Sequence, residues 1–181
     1  MDKPTKKLRK ILVTQALPYA NAPLHLGHIL EAVQTDIWTR YQNLNGHECL
    51  FFCADDTHGT PVMLKAKEMN ISPEELIKDV YEDHKTTYEL YGINFTNFYS
   101  THSDENKTFS EEIYIKAKEN NLISKQIVQQ LFDEKEQMFL SDRFVKGSCP
   151  KCGAPDQHGD NCSVCGASYD VLEIKDPVSI I

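Results

Sequence analysis

Residues 10–28 read Lys10-Ile11-Leu12-Val13-Thr14-Gln15-Ala16-Leu17-Pro18-Tyr19-Ala20-Asn21-Ala22-Pro23-Leu24-His25-Leu26-Gly27-His28. Lys10 to Ala16 reads as a short buried strand. Pro18 to Pro23, with two prolines and an asparagine, has the composition of a loop. From about Leu24, apolar residues recur at Leu26, Ile29, Leu30, Val33, Ile37, Tyr41 and Leu44. These steps of three and four share one helical face. Asn45-Gly46 supplies a C-terminal stop. Residues 48–54, ECLFFCA, read as a second buried strand. Strand, helix and strand within about 45 residues make one βαβ unit. That predicts an α/β domain with a parallel sheet and a right-handed crossover.

Outward from this unit, the loop DDTHGTP leads to a short helix ending near Met69. Ser72-Pro73-Glu74-Glu75 is a helix start: Ser72 caps, Pro73 suits the first turn, and Glu75 is placed to complete a capping box. That helix runs to about Tyr91, and another spans Glu105 to Asn120. After Leu122 the character changes. QIVQQLF (126–132) and QMFLSDRFV (137–145) read as short strands before cysteine- and glycine-rich turns. A domain boundary is expected near residue 120.

Composition excludes several classes. The chain is 40% hydrophobic and 25% charged, a globular balance. Its net charge of −8 argues against a stand-alone nucleic-acid binder, which needs a basic surface. The basic head MDKPTKKLRK precedes an apolar stretch of only Ile11 to Val13, too short for a secretory signal, so a cytoplasmic protein is expected. In a reducing compartment, paired Cys-x-x-Cys units are metal ligands more often than disulfides.

Three groups of residues carry chemistry. His25 and His28 are three apart at a helix start, where free N–H groups and the positive end of the dipole favour an anion. Two N–H donors aimed at one anion suit a pentacoordinate phosphate. Gly27 between them leaves the backbone open to a flat ring or a ribose. By spacing alone the pair also fits a metal site lacking an obvious third ligand, or two histidines without a role. Asp55-Asp56 follows the second strand, at the sheet edge where ligands of open α/β folds bind. It suits a bound cation or a cap for the next helix. Cys149, Cys152, Cys162 and Cys165 form two Cys-x-x-Cys units nine residues apart. Four thiolates make a closed tetrahedral site for one structural zinc ion. His158 is a weak substitute ligand expected at the surface, and Cys49 and Cys53 read as core thiols.

PYANAPLHLGH resembles the first nucleotide-binding motif of class I aminoacyl-tRNA synthetases. ALPYAN, CADDTHGTP and FLSDRFVKGSCPKCGAPDQHGDNC are together similar to the methionyl-tRNA synthetase family, in order and along the whole chain. The resemblance implies a Rossmann-like nucleotide-binding half-domain over 1–120. The start of a connective-peptide insertion follows over 121–181, with its zinc knuckle at 149–165. It implies that His25 and His28 contact ATP phosphates, with Asn21, Gly27 and Glu31 beside the nucleotide. Asp56 would hold the methionine ammonium, and Leu17 and Tyr19 would line the side-chain pocket. The implied partners are ATP with Mg2+, L-methionine and tRNA(Met), and the implied reaction is methionyl-adenylate formation followed by transfer to tRNA. Ser141 departs from the proline common in the family. The Lys-Met-Ser-Lys-Ser motif of the class does not occur, so the chain is expected to be an N-terminal fragment, inactive alone.

Three rivals are weighed against this. A small-molecule nucleotidyltransferase has no use for the four-cysteine segment. A zinc module that binds RNA does not suit the acidic charge. A leucine, valine or isoleucine synthetase does not match CADDTHGTP.

Overall fold

The structure, a computed structural model, describes residues 7–181. The basic head, on which the reading of no secretory signal rests, begins outside the described residues. The chain divides into two compact units, Met1–Glu112 and Ile113–Ile181.

The first unit holds a three-stranded parallel sheet in the order β1 (Lys10–Thr14), β2 (Glu48–Asp55), β3 (Asn97–Ser100). Helix α1 (Leu26–Leu44) connects β1 to β2; α2 (Thr60–Met69) and α3 (Pro73–Leu90) connect β2 to β3. Thr14 pairs with Phe52, and Asp55 pairs with Ser100. All three strands are parallel, so the loops after Thr14, Asp55 and Ser100 collect at one edge of the sheet.

The core explains this arrangement. Phe51 is fully buried and packs with Ile29 and Ala32 of α1 and Tyr88 of α3. α1 and α3 therefore cover the same face of β2. A second cluster, Ala20, Val62, Ala66, Leu76, Ile77 and Val80, holds α2 to α3 and to the loop after β1. Leu12 and Leu50, pointing the opposite way along their strands, stay 69% and 39% exposed.

The apolar stripe of α1 is only partly the face that packs. Ile29 is buried, but Leu30, Ile37, Tyr41 and Leu44 are exposed, and Ala32, Asp36 and Thr39 take the inner positions. A helix apolar on more than one side has no unique inner face by period alone. Asp36 belongs inside because it accepts from the Asn94 N–H at 3.1 Å and from the Arg40 guanidinium, which also donates to the Gly92 carbonyl. These bonds hold the turn that leads into β3, a strand the sequence pattern does not reveal.

Other elements match their signals closely. Gly46 takes φ +83° just after α1, and Ser72 accepts from the Glu75 N–H at 3.1 Å at the start of α3. Glu75 does not close the capping box back onto Ser72 among the described bonds. Helix α4 (Asp104–Glu119) crosses the division between the units. No helix of the described residues is long and apolar enough to cross a membrane.

In the second unit, β4 (Phe132–Asp133) and β5 (Met138–Phe139) form a hairpin. β6 (Val145–Ser148) lies between β7 (Gln157–His158) and β8 (Lys175–Ser179) in an antiparallel sheet. The strand expected over 126–132 is only its last residue, Phe132. Ile127 and Val128 are exposed and the segment before Phe132 has no regular structure. Within 137–145, a 3-10 turn (Asp142–Phe144) separates β5 from β6, so one expected strand is two elements.

Candidate active site

α1 starts with a cap made of histidine. His25 is the N-cap, in extended conformation at φ −101° and ψ 170°. Its Nδ1 accepts from the Gly27 and His28 backbone N–H groups at 3.1 and 3.3 Å. His28 Nδ1 accepts in return from the His25 N–H at 3.4 Å. The rings stack, with centroids 3.6 Å apart and planes 14° from parallel. A nitrogen that accepts an N–H carries no proton, so in the neutral rings the proton sits on Nε2. Burial first, then the nearby His25 and His84, hold the His28 imidazole below its ordinary pKa, against the upward pull of Glu31. The neutral form is the one the cap requires.

The small size of Gly27 serves the cap itself. A Cβ there would sit 2.9 Å from His25 Cε1 and 3.0 Å from its Nδ1. The glycine makes room for the capping ring.

The loops after β1 and β2 are joined. The Asp56 N–H donates to the Pro18 carbonyl and the Ala20 N–H to the Asp56 carbonyl, both at 2.9 Å. This brings Leu17, Tyr19 and Asp56 together. Leu17 and Tyr19 are 41% and 46% exposed, and Gly59 faces the Tyr19 ring. Neither aspartate caps α2, whose N-cap is Gly59 without a side-chain bond. Glu31 Oε1 accepts from the Ala16 N–H at 2.9 Å, which commits that oxygen to the loop. Asn21 lines a cavity of about 440 Å3, walled by Pro23, Met69, Leu76 and Val80 among others.

Asp55 and His84 form a fully buried pair that spacing does not disclose. His84 Nδ1 lies 2.7 Å from Asp55 Oδ1, and Nε2 lies 2.8 Å from the Ala22 carbonyl. Burial disfavours a charged His84, yet the bonds to Asp55 and Ala22 prevail and raise its pKa above the ordinary value. Burial raises that of Asp55. The available signal was positional: His84 and Tyr88 continue the buried stripe of Leu76, Ile77 and Val80 along α3. Sequence reading also missed contacts across the ends of β2 and β3. Thr57 and Thr101 share a hydroxyl bond at 2.8 Å, and His58 Nε2 lies 3.1 Å from His102 Nδ1.

In the second unit the four cysteines converge, with all Sγ atoms within 4.8 Å of one another. Cys149 and Cys165 are 3.9 Å apart, and Cys152 and Cys162 are 3.7 Å apart. Tetrahedral thiolate coordination at about 2.3 Å puts sulfurs about 3.8 Å apart, so the set fits one metal ion. The two halves share a design. Gly153 and Gly166 take φ +76° and +71° and donate to the Cys149 and Cys162 carbonyls at 3.0 and 2.9 Å. Although burial pushes the Cys149 thiol up, the N–H groups of Cys152 and Lys151 help bring it down to about 6. His158 lies outside the thiol set. It is half-buried in β7 rather than at the surface, because pairing with Lys146 of β6 holds it there. Cys49 and Cys53 are buried in the first unit, and burial pushes Cys53 up to about 12.

The model of a family described as tRNA synthetases class I (M) matches residues 11–181. Among solved structures, the fold is similar to that of LeuRS agnB2 from Agrobacterium radiobacter K84, in a ternary complex with tRNA and LeuAMS. The TM-score is 0.66 at 21% identity, over 86% of this chain and 21% of that one. It is also similar to Mycobacterium tuberculosis methionyl-tRNA synthetase in complex with methionyl-adenylate. Here the TM-score is 0.67 at 20% identity, over 84% of this chain and 31% of that one. Likeness at these identities establishes the fold, and the chain spans under a third of either neighbour's length.

Proposed function

We propose, from the premise that this chain belongs to the family of class I tRNA synthetases (M), that it supplies the ATP-phosphate and methionine contacts of a methionine–tRNA ligase. The observation that carries this reading is the reciprocal histidine cap. It engages both Nδ1 atoms and leaves each Nε2–H to an anion, at the carboxyl edge of the sheet and the start of a helix.

The chemistry follows from that placement. The methionine carboxylate, already ionised at neutral pH, attacks the α-phosphorus of ATP, and pyrophosphate leaves. Negative charge grows on the phosphate oxygens, where His25 and His28 donate. No strong base is required, so the residues contribute mainly by positioning and charge stabilisation. Asp56 holds the ammonium group, and Leu17 and Tyr19 offer apolar surface to the thioether. A hydroxyl of the terminal ribose of tRNA(Met) then attacks the carbonyl carbon and AMP leaves. Mg2+ accompanies ATP. The Glu31 bond to Ala16 suits a role in holding the loop better than direct nucleotide contact.

The four cysteines hold one structural zinc ion in this reading, supported by sulfur separations that match the tetrahedral value. The domain assignment is a catalytic half-domain to about residue 120, then an insertion bearing the metal. The protein works in the cytoplasm, where the free thiols of the chain keep their ligand form.

The test is ATP–pyrophosphate exchange by the intact protein across a panel of amino acids. Exchange that depends on methionine, and not on leucine, isoleucine or valine, is the expected result. Exchange driven by another amino acid would replace methionine in this reading, and none at all would remove the activity.

A further inference from the structure

We infer that His84 is a positioning residue: an imidazolium clamped between the Asp55 carboxylate and the Ala22 carbonyl, it fixes the histidine-bearing loop against the Asp56 loop. The inference rests on the proposed function above and adds a residue to it.

The geometry begins on α3. Ser72 and Pro73 set the start of the helix, and its buried positions fall at Leu76, Ile77, Val80, His84 and Tyr88. His84 therefore enters the core at an apolar position, with no exposed surface, opposite an equally buried Asp55. Both of its ring nitrogens face oxygen acceptors, at 2.7 and 2.8 Å. A neutral imidazole has one N–H and could serve only one of them. A doubly protonated ring serves both, and the 2.7 Å separation is typical of a charge-assisted bond. The other oxygen of Asp55, Oδ2, is buried without a hydrogen-bond partner among the described residues. His84 thus supplies both the bond and the counter-charge that keep the carboxylate in the core.

The two acceptors belong to the two loops of the site. Ala22 lies three residues before the capping His25, and Asp55 immediately precedes Asp56. The backbone bonds of Asp56 to Pro18 and Ala20 fasten the early part of the first loop to β2. His84 fastens its later part, beyond Ala20, where the chain turns into the cap. Without the clamp, His25 and His28 would keep their cap on α1 but lose their fixed distance from Asp56. The groups around the pair are Asp83 on α3, whose charge favours the cation, and His28 on α1, which is kept neutral in part by His84. Tyr88 on α3 and Cys53 on β2 lie near Asp55, both held un-ionised by burial.

The experiment uses the intact enzyme in four forms: wild type, His84→Gln, Asp55→Asn and the double variant. The introduced glutamine reaches one acceptor at a time. The introduced asparagine keeps the shape of the aspartate but withdraws the charge that holds the second proton on His84. Exchange is measured per titrated active site, so a loss of folded protein does not count. Each variant is expected to lose roughly tenfold to a hundredfold in kcat/KM for both ATP and methionine. The double variant should be no worse than the poorer single one, because both break the same link.

Wild-type activity should fall at alkaline pH with the midpoint at which His84 loses a proton, read from 15N-histidine spectra. That limb should vanish in Asp55→Asn. Two results overturn the inference while leaving the function intact: unchanged kcat/KM in either variant, or a His84 ring with one bare nitrogen at neutral pH. Wild-type protein with no methionine-dependent exchange overturns the functional reading, and the inference with it.

Discussion

His25 and His28 cap each other: each Nδ1 accepts the backbone N–H of the other residue, and the rings lie face to face 3.6 Å apart. The same two side chains thus build the helix start and present protons to whatever anion sits before it. Structural and chemical roles can be separated, because asparagine caps helices well and cannot replace an imidazole beyond the cap.

His25→Asn should therefore keep stability within a few tenths of a kcal/mol, whereas His25→Ala should lose about 1 kcal/mol. Both should lower exchange by roughly a hundredfold or more. Urea unfolding and pyrophosphate exchange on the same preparations check this. Full activity in His25→Asn would reduce the residue to a cap.

Gly27→Ala tests the space behind the cap. The new methyl must displace the His25 ring, since it would sit 2.9 Å from Cε1. The gain of about 1 kcal/mol in helix propensity offsets the loss of the cap, so stability should change little. Activity should fall close to that of His25→Ala. A fully active Gly27→Ala protein would show that the ring is free to move.

The two buried or half-buried histidines give opposite pH dependences. His28 has a lowered folded pKa, so its contribution is present above the unfolded value of 6.5 and is lost as pH falls through the folded one. His84 has a raised folded pKa, so its contribution is present below 6.5 and is lost as pH rises through the folded one. Unfolding free energies measured across this range should flatten on the acid side in His28→Asn and on the alkaline side in His84→Gln. The reverse pattern would mean that the protons are assigned to the wrong rings.

Asp56→Ala should raise the methionine KM strongly in the intact enzyme, with ATP affinity less affected. Exchange measured at limiting methionine is the sensitive readout. A near wild-type rate there would remove Asp56 from the ammonium site.

Purified protein should contain one zinc per chain, lost in Cys152→Ser and Cys162→Ser and released as pH falls and protons compete for the thiolates. Elemental analysis with a zinc-sensitive dye follows both. Metal-free protein with four reactive thiols would leave the sulfurs without their proposed ion.

Much of this was legible in the residues. The βαβ unit, the histidine cap position and the four-cysteine set each rest on local signals: period, turn chemistry and spacing. What stayed hidden depends on contacts distant in sequence. β3 offers only Phe98 and Tyr99 as strand formers, and it is fixed instead by the Asp36–Arg40 hold on residues 92–94 and by the Tyr81 hydroxyl on the Phe98 carbonyl. The inner face of α1 was ambiguous because Asp36 turns inward while Leu30 and Ile37 turn outward. The Asp55–His84 pair spans 29 residues, and nothing in either local stretch announces the other.

The most direct measurement is the single-turnover rate of methionyl-adenylate formation in the intact enzyme, comparing wild type with the double variant His25→Asn, His28→Gln. The account predicts a rate loss of at least about a thousandfold with two donors removed, and ATP binding weakened far less. A double variant that forms adenylate at the wild-type rate would contradict it.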